Sequence, residues 1–123
     1  MLPQKNNSIT VITSVAPYAS LIPMEAINFG FAAAAFDQKV TLLFITDGVF
    51  QLCFKQNATR LYQKTMGKVL GAAPMYGIEK IYACKHSLKE RGLEKEDLIL
   101  SPTLLEAEEI HEVISGSDTL LSF

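Results

Sequence analysis

The feature that most constrains the fold is an alternation of short, apolar, β-branched runs with segments of helical pattern. The run Val40–Ile45 (VTLLFI) is apolar at nearly every position, which is typical of a strand covered on both faces. Strands alternating with helices indicate a mostly parallel sheet between helices. We therefore expect a three-layer, flavodoxin-like α/β fold with helices on both faces. The five predicted strands are Ser8–Ser14, Val40–Ile45, Ile78–Cys84, Leu98–Leu100 and Thr119–Phe123.

Two helices are predicted in the first half of the chain. The first covers about Met24–Phe36 and the second about Thr59–Leu70. Gly71 and Pro74 follow the second helix as stop signals.

Two more helices are predicted in the second half. Ser87–Glu90 (SLKE) has the capping-box pattern and Gly92 suits the C′ position, so the third helix should begin at Ser87. The fourth should begin near Leu104, with glutamates in its first turns. Its expected apolar stripe consists of Leu104, Ala107, Ile110, Val113 and Ile114.

The first predicted helix has too little polar surface for an ordinary surface helix. Within Ala26–Phe36 only Asn28 is polar, and Phe29, Phe31 and Phe36 point in different directions around the axis. We therefore expect its outer face to pack on another subunit. The alternative is an alanine-rich helix whose small side chains tolerate water.

The length and charge of the chain limit its partners. With 123 residues it fits one domain, 1–123, and its net charge is −2 without a basic cluster. Direct binding of nucleic acid would need such a cluster, so none is expected. The longest apolar stretch falls short of the roughly 20 residues that span a bilayer, and the polar start predicts no secretory signal.

The two cysteines, Cys53 and Cys84, lie far apart and have no histidine or cysteine nearby at metal-ligand spacing. This pattern predicts reduced thiols in a cytoplasmic protein, with neither a disulfide framework nor a metal site.

Candidate site residues follow the first and third predicted strands. In open parallel sheets, sites form beyond the carboxyl ends of strands where strand order reverses. For the order 2-1-3-4-5, strands one and three would flank that crevice. The residues expected there are Ser14, Val15, Pro17, Tyr18, Cys84, Lys85 and His86.

Cys84 is the candidate catalytic residue. It precedes a predicted helix start, and Lys85 and His86 can add positive charge. Both features favour the thiolate that a sulfur-accepting cysteine requires. The alternative is a small, buried hydrophobe at a strand end.

Other candidates have simpler interpretations. Cys53 lies among apolar residues, which would raise its pKa, and core packing explains it better. We interpret His86 as a solvated residue at a helix start, His111 as a surface residue of an acidic helix, and Asp47-Gly48 as a turn.

Cofactor-binding motifs are missing from the sequence. It contains no G-x-G-x-x-G, G-x-x-x-x-G-K-[ST] or G-x-S-x-G pattern, and the loop after the first strand contains no glycine. No dinucleotide, flavin or nucleoside triphosphate cofactor is expected.

Four stretches together resemble the TusC/DsrF group of the DsrE-like family. Ala16-Pro17-Tyr18 resembles its A-P-[HY]-G turn, although Ala19 stands at the glycine position. The block from Phe44 to Leu52 (FITDGVFQL) resembles F-[IL]-x-D-G-V-[FY]-Q-L. Ser87–Leu93 (SLKERGL) resembles S-L-x-x-R-G-L, and Leu120–Phe123 resembles the family's last strand. The similarity extends over the chain from Ser8 onward and implies a DsrE-like fold.

The resemblance implies a sulfur-relay complex in which the chain is mainly a structural or auxiliary subunit. TusB-like and TusD-like sister subunits would join it in a dimer of heterotrimers. The complex would take persulfide sulfur from TusA and pass it through TusE toward 2-thiolation of wobble uridine in tRNA. The best-supported sulfur-carrying cysteine of the family belongs to the TusD/DsrE component, at the place in the fold where Cys84 falls.

Three alternatives stay open. Cys84 could itself be a transient persulfide carrier. The chain could be a DsrF-type subunit in dissimilatory sulfur oxidation. It could also be a standalone redox or ligand-binding domain, which would be a stable monomer.

Overall fold

The computed structural model describes residues 8–17, 21–53 and 67–123. The strands are β1 (Ser8–Thr13), β2 (Lys39–Phe44), β3 (Lys80–Cys84), β4 (Thr103–Leu105) and β5 (Thr119–Ser122). The helices are α1 (Ile22–Ala35), α2 (residues 67–71), α3 (Lys85–Glu90) and α4 (Ala107–Ser115). Shorter 3-10 helices span Thr46–Leu52, Ala73–Tyr76 and Lys95–Asp97. No helix among these described residues is long and apolar enough to cross a membrane.

All five strands are parallel, in the order β4-β3-β2-β1-β5, so the predicted fold class is confirmed. The expected order 2-1-3-4-5 is wrong, because β2 lies between β1 and β3 at the centre of the sheet. Burial of every β2 residue from Val40 to Phe44 fits that central place. At the edge of the sheet, β2 would have had a neighbouring strand on one side only, and its apolar residues would have been more exposed to solvent.

The main core lies on one face of the sheet. Val11, Leu42 and Phe44 from the strands pack there with Ala26 and Ile27 of α1. Right-handed crossovers carry the chain from β1 to β4 in one direction, so their helices share this face.

The last crossover runs back and places α4 on the opposite face. The Thr10 side chain, which points away from the Val11 side, forms a hydrogen bond with the Ser117 hydroxyl just after α4. The three-layer arrangement is thus confirmed.

The fourth strand and fourth helix lie further along the chain than predicted. Leu98 forms only an isolated antiparallel bridge with Cys53, and the Ile99 amide donates to the Leu52 carbonyl at 2.7 Å. These apolar residues face the core from a loop rather than from a strand. Leu104, expected in the helix, lies in β4, and α4 begins after Glu106, whose capping box is formed with Glu109.

The third helix also begins earlier than predicted. Its N-cap is Cys84, so Ser87 lies inside its first turn. Gly92 has the left-handed φ of +66° expected of a C′ glycine. The predicted second helix, about Thr59–Leu70, lies mostly outside the described residues; those from 67 to 71 are helical.

Gly48 has a steric role in joining the 3-10 helix Thr46–Leu52 to β1. A Cβ atom at Gly48 would lie 2.1 Å from the Thr13 carbonyl oxygen and 2.8 Å from its carbon. Both are backbone atoms of the last residue of β1, and moving them would disturb the hydrogen bonding of the sheet. Glycine is therefore the residue that this approach permits.

We expect Gly48→Ala to lower the free energy of unfolding by at least about 3 kcal/mol, because the strand end must shift. Urea unfolding followed by circular dichroism measures the change. The matched control is Gly71→Ala, whose Cβ would meet nothing within 4 Å. It should be neutral or stabilising by up to about 1 kcal/mol. Equal stabilities of the two variants would contradict the steric role.

Candidate functional site

The carboxyl ends of β1, β2 and β3 are connected by a chain of hydrogen bonds. The Thr46 hydroxyl donates to the Ser14 carbonyl oxygen at 3.1 Å, and the Thr46 amide donates to Ser87 Oγ at 2.9 Å. The Ser87 amide in turn donates to Cys84 Sγ at 3.5 Å. Thr46 has a φ of +47°, which is unfavourable for a β-branched residue, and these two hydrogen bonds hold it in that conformation.

A salt bridge adds a second link between the same elements. Arg91 Nε lies 3.0 Å from Asp47 Oδ1, and Arg91 Nη1 donates to the Ser87 carbonyl oxygen at 3.1 Å. The Arg91 side chain is only 21% exposed, so it packs as well as pairs. The Asp47 and Arg91 motifs therefore form one structural unit, although they are far apart in sequence.

Gln51, near the C-terminal end of the 3-10 helix Thr46–Leu52, forms hydrogen bonds with β1 and the loop after it. It is fully buried, and its Nε2 donates to Thr13 Oγ1 and to the Val15 carbonyl oxygen, both at 2.8 Å. Such internal donation is what a buried amide requires. The conformation of the loop after β1 is thereby tied to the 3-10 helix.

Cys84 lies at the end of β3, beside Leu105 of β4, and is partly buried. The two basic residues beside it each lie next to a carboxylate. Lys85 Nζ lies 3.2 Å from Glu106 Oε1, and His86 Nε2 lies 3.3 Å from Glu90 Oε1. All four side chains are well exposed, and Glu90 is shared, because Arg91 Nη1 lies 3.7 Å from the same oxygen. His86 is a solvated residue of the helix start, as predicted.

The crevice where strand order reverses lies between β1 and β5, not between β1 and β3 as expected. Phe123 occupies it. The Phe123 amide donates to the Ile12 carbonyl at 2.8 Å, and its carbonyl accepts from the Ser14 amide at 3.2 Å and the Ser14 hydroxyl at 3.1 Å. The Phe123 ring lies 6.3 Å from that of Phe29 between centroids. Ser14 therefore faces β5, while Cys84 ends β3, which lies two strands from β1 in the opposite direction.

Of the remaining candidates, Val15 is partly buried and Pro17 is buried in the loop after β1, whereas Tyr18 lies outside the described residues. His111 is exposed on α4, as predicted. Thr46 and Arg91 were missed as site residues. The sequence does contain a signal for Arg91, because one motif carries this cation and another carries the Asp47 carboxylate. Interpreting Asp47-Gly48 as a simple turn left this pairing out of account.

Cys53 is half-buried beside the Leu98 bridge. Burial raises the pKa of its thiol, and the carboxylate of Asp97 raises this pKa further. The prediction of a raised pKa is confirmed, and Cys53 has the environment of a structural residue.

Comparison with known proteins yields one consistent family. Residues 7–123 match the model of the DsrE/DsrF-like family. A TusC homolog from Pseudomonas aeruginosa is 32% identical over 117 residues, which cover 95% of this chain and 98% of that protein. A TusC homolog from Vibrio parahaemolyticus is also 32% identical, with 95% and 99% covered. The TusC protein of Buchnera aphidicola is 30% identical, with 94% and 98% covered.

Solved structures share the fold at lower identity. The YchN protein of E. coli superposes with a TM-score of 0.77 at 18% identity, covering 95% of this chain and 99% of that one. A conserved protein of unknown function from Bacteroides thetaiotaomicron gives 0.71 at 13% identity, with 96% of each chain covered. At these identities the likeness concerns the fold alone.

We expect alkylation of Cys53 to have its pH inflection above the usual thiol range of about 8.5. It is measured with iodoacetamide in the Cys84→Ser variant, which leaves Cys53 as the sole thiol. Because the folded pKa is raised, the unfolded chain loses its proton first, and stability should fall as the pH rises past that range. Asp97→Asn should move the inflection back part of the way. An inflection at or below about 8.5 would contradict the effect of burial.

Proposed function

The chain belongs to the TusC/DsrF group of the DsrE/DsrF-like family, and from that membership we propose that it is a subunit of a TusBCD-type sulfur-relay complex. The complex works in the cytoplasm and passes persulfide sulfur from TusA through TusE toward 2-thiolation of wobble uridine in tRNA. This chain is mainly a structural subunit, held between TusB-like and TusD-like sister subunits in a dimer of heterotrimers.

The observation that supports this proposal best is the outer face of α1. Its inner face is buried through Pro23, Ala26, Ile27, Gly30 and Ala33. Its outer face is apolar as well, at Ile22, Phe29, Ala32 and Ala35, and the polar residues there are Glu25 and Asn28. Apolar side chains on both sides of a helix favour cover by a second protein.

The strand ends support a structural role. Phe123 fills the crevice at the reversal of strand order, and the Thr46 amide and the Arg91 guanidinium both donate to Ser87. Donors used in this way are not available to a substrate. The arrangement suits a rigid scaffold better than a catalytic pocket.

One observation favours a second candidate, in which Cys84 carries sulfur transiently. Cys84 is only partly buried, and its Sγ accepts a hydrogen bond from the Ser87 amide. In that case the Cys84 thiolate attacks the outer sulfur of a donor persulfide. A new S–S bond forms at Cys84, the donor S–S bond breaks, and the donor leaves as its thiolate, with no net oxidation.

Asn28→Arg should prevent co-purification with co-expressed TusB-like and TusD-like chains, because it places a long charged side chain at an exposed position in the outer face of α1. Pull-down on a tagged sister chain measures it. The control is Ser115→Arg at an exposed position on α4, which should leave co-purification intact. Normal recovery of the Asn28→Arg chain would rule out this face as the contact.

Cys84→Ser should leave tRNA 2-thiolation near the wild-type level in cells, as expected of a structural subunit. Thiolated uridine is quantified by mass spectrometry of digested tRNA, with Cys53→Ser as the matched control. Loss of thiolation in Cys84→Ser alone, together with a gain of one sulfur on Cys84 after incubation with a persulfidated donor, would establish the carrier role instead.

A further inference from the structure

A groove of about 540 Å³ lies beside the C-terminal half of α1. One wall is formed by α1, and the other by residues of α2 and the 3-10 helix Ala73–Tyr76. The rings of Phe31 and Tyr76 stack across it at 5.2 Å between centroids. The other apolar lining residues are Ala32, Ala35, Val69 and Ala72. A groove of this composition accepts an apolar side chain.

Lys68 is the charged residue among the described residues that line this groove. It is exposed, and in the described part of the chain no carboxylate pairs with it. An ammonium group at the rim of an apolar groove favours an occupant that carries a carboxylate next to its apolar group.

The chain presents such a pair of groups directly after α1. Phe36 is 79% exposed, and Asp37 beside it is exposed as well. The Phe36 amide donates to the Ala33 carbonyl at 3.0 Å, and the Asp37 amide donates to the Ala34 carbonyl at 3.1 Å. Asp37 has a left-handed φ of +62°, and these hydrogen bonds hold the turn in that conformation before any association.

We propose that a second copy of this chain occupies the groove, with its Phe36 ring between Phe31 and Val69 and its Asp37 carboxylate facing Lys68. Phe36 and Asp37 directly follow Ala35, which lines the groove. A two-fold axis beside Ala35 therefore lets each copy insert its Phe36 into the groove of the other. The contact uses the C-terminal end of the outer face of α1, at Ala32 and Ala35, and goes beyond the proposed function, whose sister-subunit contact is tested at Asn28 in the N-terminal half.

Sedimentation velocity on the isolated full-length chain tests this contact. A dimer should form as concentration rises, and Phe36→Ser should raise its dissociation constant at least about tenfold. Lys68→Glu should raise it several-fold, because a carboxylate then faces Asp37. Adding Asp37→Asn to Lys68→Glu should recover part of that loss, since asparagine tolerates the left-handed backbone and removes the repulsion.

The control is Lys89→Glu on α3, an exposed lysine with no ion pair in the described part of the chain, which should leave the dissociation constant unchanged. Circular dichroism verifies that each variant is folded. A chain that stays monomeric at every concentration would overturn the contact, as would equal dissociation constants for Lys68→Glu and its double variant.

If Phe36→Ser instead releases the sister chains while self-association persists, the groove holds a sister subunit and the inference is wrong. The sister contact is judged separately, by the pull-down with Asn28→Arg. Failure of one of these contacts therefore leaves the other intact.

Discussion

The structure depends on the close packing of the 3-10 helix Thr46–Leu52 against the end of β1. Gly48 permits this approach because the Thr13 carbonyl leaves no room for a Cβ atom, and buried Gln51 bonds the same strand end. Asp47 forms a salt bridge with Arg91, which follows α3, and so holds α3 against the carboxyl ends of the strands. One short segment thus determines how three strand ends and a helix meet, and so where Cys84 lies.

This packing explains why the strand ends make a scaffold more readily than a catalytic pocket. The polar groups of Thr46 and Ser87 bond one another, and Phe123 covers the crevice beside β1. Exposed apolar residues lie elsewhere, among them those of the outer face of α1. Rigid strand ends together with an uncovered helix suit a subunit that supports its neighbours.

Much of the fold could be predicted from local patterns. The continuous apolar run of β2, the apolar first helix and the C′ glycine Gly92 each depend on residues close in sequence. Strand order could not be predicted in this way, because it depends on which strands pair across the sheet. Leu98 was mistaken for a strand residue because an apolar run in a core-facing loop has the same composition as a short strand. The Thr46–Ser87 bond links positions that only the folded chain brings together.

Burial of the outer face of α1 by sister subunits is the central claim, and hydroxyl-radical footprinting measures it directly. The isolated chain and the co-expressed complex are oxidised side by side, and modification is quantified at Phe29, with exposed His111 on α4 as the reference. We predict that Phe29 is oxidised in the isolated chain and protected in the complex, while His111 is modified in both. Equal oxidation of Phe29 in the two samples would contradict the claim.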